Sequence, residues 1–170
     1  MSQGTFFEKP TIEPVTNLII EESEPLSYEV ANITFQGILP GDKPEIVGFV
    51  GGMLYDGDFA DFDRIEVYPQ WRGRQFGSQL FRHFVSYAKL QNVKTISISA
   101  ANERTAHLMG TVPDVRYFEF LDGKGELLPN FTIPMAVKLL EEARKEQGLV
   151  DDTDKSEELK TTVRITANLQ

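Results

Sequence analysis

The chain has 170 residues, a length that fits one domain with at most a small appendage. It contains no cysteine and only two histidines, His83 and His107, which excludes disulfides and thiolate metal sites and leaves too few imidazoles for a structural zinc; no metal site is expected. A net charge of −9 with a pI near 4.7 argues against general nucleic-acid binding.

Residues 1–16 carry Pro10, Pro14 and two glutamates but no apolar run, so they do not read as a secretory signal. The longest apolar run, Ile46–Leu54, is too short to cross a bilayer. The expectation is a soluble, cytoplasmic protein that does not enter membranes. The charge is uneven: residues 64–104 hold seven cationic and two anionic side chains, a net +5, whereas the first thirty residues have one lysine against six glutamates, a net −5. A basic island in an acidic chain invites a small polyanion such as a phosphate-bearing cofactor. The acidic remainder suits a cationic substrate or is simply a solvated surface.

In chain order, a strand is expected at Thr16–Ile20, then a half-buried one around Ala31–Ile33–Phe35. After the Pro40–Pro44 turn, Ile46–Leu54 reads as a strand covered on both faces, its three glycines marking close backbone approach or a bulge. A turn at Asp56-Gly57-Asp58 leads to a strand over Phe62–Tyr68, ended by Pro69. Residues 76–91 then place Phe76, Leu80, Phe81, Phe84, Val85 and Ala88 on one helical face, with His83 on the solvated side. The alternation in Val93–Ala100 makes another strand, so strand, helix and strand form a right-handed crossover with parallel strands. A short helix at Glu103–Met109 follows, then two strands, Val115–Phe120 and Glu126–Ile133, joined as a hairpin by Asp122-Gly123-Lys124-Gly125. Pro134–Gln147 reads as a helix stopped by Gly148, residues 149–160 as a charged linker or frayed helix, and Thr161–Asn168 as a terminal strand. The fold class is α+β: a mixed, mostly antiparallel sheet with one βαβ crossover. Residues 1–133 are expected to form the main domain and residues 134–170 a C-terminal helix, linker and strand. That strand is a candidate for pairing with a second copy or a protein partner.

The chemistry concentrates in Glu66–Leu80, EVYPQWRGRQFGSQL, where a strand ends at a proline and an Arg-Gly turn enters a helix. The open amides and dipole of a helix start, beside Arg72 and Arg74, favour a phosphate, and Gly73 and Gly77 allow close approach. No Gly-Lys-Ser/Thr follows and G-x-G-x-x-G is absent, so this is neither a Walker loop nor a dinucleotide fingerprint. The pattern by itself leaves open an anion site or an ordinary strand–helix turn with solvated arginines.

The stretch Pro69 to Leu80 resembles the pyrophosphate-binding segment of the acyl-CoA N-acyltransferases (the GNAT superfamily). The similarity continues through strand Thr95–Ala100 to Asn102, Ala106 and Leu108, covering about sixty residues from Asp61 to Phe120. The resemblance implies the acyl-CoA N-acyltransferase fold and a cofactor that is acetyl-CoA or another acyl-CoA. It implies that backbone amides of Arg72, Gly73, Arg74, Gln75, Phe76, Gly77 and Ser78 hold the pyrophosphate, with Arg72 and Arg74 adding charge. It further implies that Val67 pairs with the pantetheine arm beside a splayed parallel strand pair, and that Asn102 contacts the cofactor's amides. Two positions depart from the family pattern: Gln75 replaces the turn's middle glycine, and Met109 stands where a tyrosine commonly protonates the leaving thiolate.

An N-acyltransferase needs a base to take a proton from the ammonium of its acceptor. Asp63 and Glu66 are the candidate carboxylates, each with the alternative of pairing with Arg64 or solvent. His107 is a candidate replacement for the missing tyrosine, or a plain surface histidine, and Tyr117 is a substitute acid or a packed ring. The expected function is transfer of an acetyl or short acyl group from CoA to a small-molecule or protein amine. The alternative is a catalytically inactive member acting as a binding, sensor or structural protein.

Overall fold

A computed structural model describes residues 18–24, 32–55, 58–100, 102–148 and 161–169. Expectations for Thr16 and Asn17, Ala31, the Asp56-Gly57 pair and residues 149–160 lie outside these residues. The apolar alternations become strands β1 (Ile19–Ser23), β2 (Ile33–Leu39), β3 (Glu45–Leu54), β4 (Phe59–Val67), β5 (Thr95–Ala100), β6 (Val115–Asp122) and β7 (Val163–Leu169). They form one seven-stranded sheet in the order β1-β2-β3-β4-β5-β7-β6, antiparallel except for the β4–β5 pair. The helices are α1 (Phe76–Leu90), α2 (Glu103–Met109) and α3 (Ile133–Glu146).

Helix α1 is the crossover between the parallel strands, and its six expected apolar residues are all buried. Phe81 and Phe84 meet Phe62 of β4 edge-on, at 5.1 and 5.6 Å between ring centroids. Burial of each such ring stabilises the fold by about 1.5–3 kcal/mol. The helix comes so close to β3 that a Cβ on Gly52 would stand 2.6 Å from the Phe84 ring.

Gly51 and Gly52 also mark the expected bulge. Pairing passes from Gly51↔Arg64 to Gly52↔Phe62, so Asp63 is an extra residue with no β3 partner. One extra residue reverses the alternation of side chains along β4. Before the bulge Phe62 faces α1; after it Ile65 and Val67 do, their side chains lying 3.8 and 3.6 Å from the place a Gly77 Cβ would take. Arg64 and Glu66 are thereby turned to the opposite face.

Three expectations are corrected. The Asp122–Gly125 turn forms, with Asp122 accepting from Gly125 N (3.0 Å) and donating to Glu126 O (2.9 Å). The second hairpin arm nevertheless stops at a single bridge, Leu121↔Leu127. Pro129 offers no N–H to extend the ladder, and Asn130, at φ +60°, turns the chain toward α3. Strand β7 is hydrogen-bonded on both sides within its own chain, between β5 and β6, so it is not a spare strand awaiting a partner. His83 is half-buried against Phe35 of β2 (4.7 Å, edge-on) rather than solvated, and burial lowers its pKa from the usual 6.5.

Helix α3 begins at the cap Thr132, whose hydroxyl accepts from Met135 N, and ends before Gly148 at φ +70°. It packs along α2, and Arg144 of α3 pairs with Glu103 of α2.

Candidate active site

Beyond the end of β4, a short 3-10 turn (Pro69–Trp71) lifts the chain toward α1. Gly73 and Gln75 both adopt positive φ, +78° and +62°. Gln75 precedes the first turn of α1 and no side chain caps that turn. The leading N–H groups of Phe76, Gly77 and Ser78 therefore have no acceptor within the helix, and they stand at the positive end of its dipole. All three residues line a cleft of about 1050 Å³ that also takes in the end of β4, helix α2 and one side of α3.

The cleft enters the sheet itself. Strands β4 and β5 pair only from Phe59↔Thr95 to Phe62↔Ile98, so Asp63–Val67 has no β5 partner and the two strands part. Tyr68 N–H donates to Val47 O at 2.9 Å, so Tyr68 points its backbone at β3 and the alternating Val67 points its own into the gap. The Val67 carbonyl accepts a hydrogen bond from Arg72 Nε at 3.1 Å, while the Val67 N–H is directed into the opening. Because Ile65 and Val67 project to the α1 side, and Arg64 and Glu66 to the other, the four lining residues of β4 put the cleft on both faces of the sheet at this point.

Of the residues singled out from the sequence, Glu66, Val67, Arg72, Gly73, Gln75, Phe76, Gly77, Ser78, Asn102 and His107 all line the cleft. Arg74 does not; it stacks over the Trp71 ring at 5.0 Å, and Trp71 lines the cleft in its place. Asp63 is exposed at the bulge and stands outside the lining. Glu66 is bonded to Arg64 at 2.6 Å, the pairing given as its alternative role. Asn102 Oδ1 accepts from both the amide and the hydroxyl of Thr105, 2.8 Å each. That caps α2 and leaves the Nδ2 hydrogens as the group Asn102 offers to a ligand. Met109 is fully buried in the core and Tyr117 is exposed on β6, so neither side chain is on the cleft.

The sequence reading missed Arg64 as a cleft residue, and also Glu103, Val137 and Glu141. The contribution of α3 carries no local signal, because it depends on a helix from beyond β6 docking on α2. Arg64 was concealed by the bulge, which a simple alternation through Phe62–Val67 does not register. Among the described residues no group of three or more His, Asp or Glu is placed to hold a metal ion, and no helix is long and apolar enough to cross a membrane.

A mixed sheet parted between two parallel strands, with a helix start aimed into the parting, defines the acyl-CoA N-acyltransferase fold. The model of the acetyltransferase (GNAT) family matches residues 14–110, more than half of the chain, and the chain belongs to this family of acyl-CoA-dependent transferases. No curated protein matches. Among solved structures, the chain is similar to a GNAT family acetyltransferase from Elizabethkingia anophelis with acetyl-CoA bound, at 16% identity over 91% of this chain and 99% of that one, with a TM-score of 0.54. It is likewise similar to a Bacillus subtilis acetyltransferase in complex with CoA (16% identity, 91% and 100% covered, TM-score 0.53). An IAA acetyltransferase from Bacillus cereus aligns at 13% identity over 90% and 100% of the two chains, again with a TM-score of 0.53.

Proposed function

We propose that the protein transfers an acetyl or other short acyl group from CoA to the nitrogen of an amine. The observation that carries this reading is the continuity of one cleft from the uncapped start of α1 to the Val67 N–H in the parted strands. In this reading the amides from Gly73 to Ser78 hold the pyrophosphate, since the Arg72 amide donates to Pro69 O at 3.3 Å; Arg72 and Arg74 contribute positive charge, and Asn102 Nδ2 donates to a carbonyl of the pantetheine arm. The likeness to structures holding CoA and acetyl-CoA supports the same assignment.

The thioester supplies an activated acyl carbon and a thiolate leaving group. Val67 N–H donates to the carbonyl oxygen as charge builds there. Glu66 takes a proton from the acceptor ammonium, directly or through water, and Asp63, at the bulge, is the less well placed carboxylate. The freed nitrogen then forms the new N–C bond as the C–S bond breaks, and the sulfur keeps the electron pair. The nitrogen sheds its second proton, which reaches the thiolate through His107 or solvent; both residues and both protons are then accounted for.

The test is thiol release from acetyl-CoA, read with a disulfide reagent, against polyamines, aminoglycosides, amino acids and peptide N-termini. A chain without cysteine gives no background. One amine class is expected to accelerate release, with kcat/KM falling about 10²–10⁴-fold in Glu66→Gln. A second reading, a member that binds CoA without turnover, is favoured by the Arg64–Glu66 pair and by Met109 in the core. Acetyl-CoA binding without amine-dependent thiol release would decide for it.

A further inference from the structure

We infer that Arg74, braced on the Trp71 ring at the edge of the cleft, is the subsite for a second phosphate standing apart from the pyrophosphate, the monoester on the ribose 3′ carbon of CoA. This rests on the acyl-CoA reading above and adds that the protein tells CoA from its 3′-dephospho form. Arg74 lies between two residues of positive φ, Gly73 at +78° and Gln75 at +62°. Both neighbours line the cleft and Arg74 does not. Its side chain instead runs back over the 3-10 turn, where the guanidinium lies 5.0 Å from the centroid of the Trp71 ring. That ring is itself held: it meets Phe76 edge-on at 6.3 Å, and Phe76 is 1% exposed. The Trp71 backbone N–H is tied to Tyr68 O at 2.8 Å as well. The indole Nε1 is buried with no acceptor among the described residues, so the ring acts here through its face. A core residue thus fixes the indole, and the indole fixes the cation.

What the guanidinium lacks is a polar partner. Arg64 and Arg144 are paired with carboxylates, and Arg72 Nε is bonded to the Val67 carbonyl. Arg74, among the described residues, has the ring contact and neither a hydrogen bond nor an ion pair. Stacking occupies a face of the guanidinium and leaves the N–H groups in its plane open, in the fork that matches a phosphate. A fork already fixed in direction loses less freedom on binding than a swinging side chain does. Its position separates it from the pyrophosphate. Gly73 and the residues from Gln75 to Ser78 line the cleft, whereas Arg74 stands outside that lining, beside Trp71. An anion seated on the helix start occupies the amides, and the cation at the edge is left for an anionic group farther along the same ligand. Acyl-CoA has one such group, the 3′-phosphate. In a chain of net charge −9, that phosphate needs a local cation to be held rather than repelled.

The experiment is calorimetric titration of the full chain with acetyl-CoA and with acetyl-3′-dephospho-CoA, a pair identical but for the 3′-phosphate, on the parent and on Arg74→Gln. The parent is expected to bind acetyl-CoA about ten- to a hundredfold more tightly than the dephospho form. Arg74→Gln is expected to bring that ratio within about threefold by weakening acetyl-CoA alone, with the dephospho affinity unchanged. Should the variant fail to fold, the two ligands on the parent still test the claim. Equal affinity of the parent for both overturns the inference and leaves the acyl-CoA cleft standing. So does a preference that survives in Arg74→Gln. Loss of both ligands by one factor in that variant overturns it too, since the charge then serves the pyrophosphate. No binding of either ligand at millimolar concentration overturns the inference and the acyl-CoA reading together.

Discussion

Gln75 is held at φ +62° and ψ 12°, a left-handed conformation, where the turn into α1 leaves no alternative. A side chain in that region costs about 1–2 kcal/mol relative to glycine, partly offset by the greater freedom a glycine loses on folding. The Gln75 side chain does not cap the helix. Gln75→Gly is expected to raise stability by up to about 1 kcal/mol, read as a Tm increase of a few degrees. Its acetyl-CoA affinity should be unchanged or higher, because the proposed phosphate contacts come from the backbone. A drop in Tm would mean that the glutamine side chain supports the turn. Arg72 shows a related economy: by donating to the Val67 carbonyl it ties the turn before α1 to the end of β4.

Among the elements, α1 joins core and site. Its apolar face fills the sheet while its N-terminus faces the cleft, so the packing that stabilises the fold also fixes the direction of the helix dipole. His83 belongs to this docking. Its ring meets Phe35 edge-on, and burial holds its pKa below the usual 6.5. The neutral form is favoured in the folded chain, so the unfolded chain binds more protons in this range and stability rises with pH. The contribution is complete above about 6.5 and is lost as pH falls through that value toward the lowered folded one. A His83→Leu variant should therefore lose less Tm than the parent between pH 7.5 and 5; His107 and the carboxylates are common to both proteins and cancel in the difference. Identical losses would contradict this account of His83. Helix α3 acts at the same scale, since its Arg144–Glu103 pair fastens it to α2 and brings Val137 and Glu141 to the cleft.

At the scale of the whole molecule, what could be read in the sequence is what local physics determines. The buried face of α1, the turn from Pro69 to Ser78, the crossover joining β4 to β5 and the cap-to-glycine limits of α3 all follow from periodicity and turn chemistry within a few residues. What could not be read depends on distant partners. Residues 163–169 pair with β5 on one side and β6 on the other, and nothing within TTVRITAN specifies a place between them. The arm after Gly125 has the residues of a strand, but Pro129 and the turn at Asn130 leave it one bridge. The candidate site divides the same way. Its turn and helix start were legible as cleft residues, whereas the face presented by Arg64 and Glu66 turns on one extra residue, Asp63, opposite Gly51-Gly52.

The central claim is that the start of α1 is the anion end of an acyl-CoA cleft, and Gly77 gives direct access to it. A Cβ there meets only the Val67 and Ile65 side chains at 3.6 and 3.8 Å, so a side chain fits. An aspartate in the first helical turn favours the helix by about 0.3–1 kcal/mol, yet puts a carboxylate where the phosphates are proposed to lie. Calorimetric titration of acetyl-CoA into the parent protein and into Gly77→Asp should show saturable binding in the parent, weakened on the order of a hundredfold or more in the variant, whose Tm is equal or higher. Equal affinity in the two proteins, or no binding to the parent at millimolar acetyl-CoA, would contradict the account.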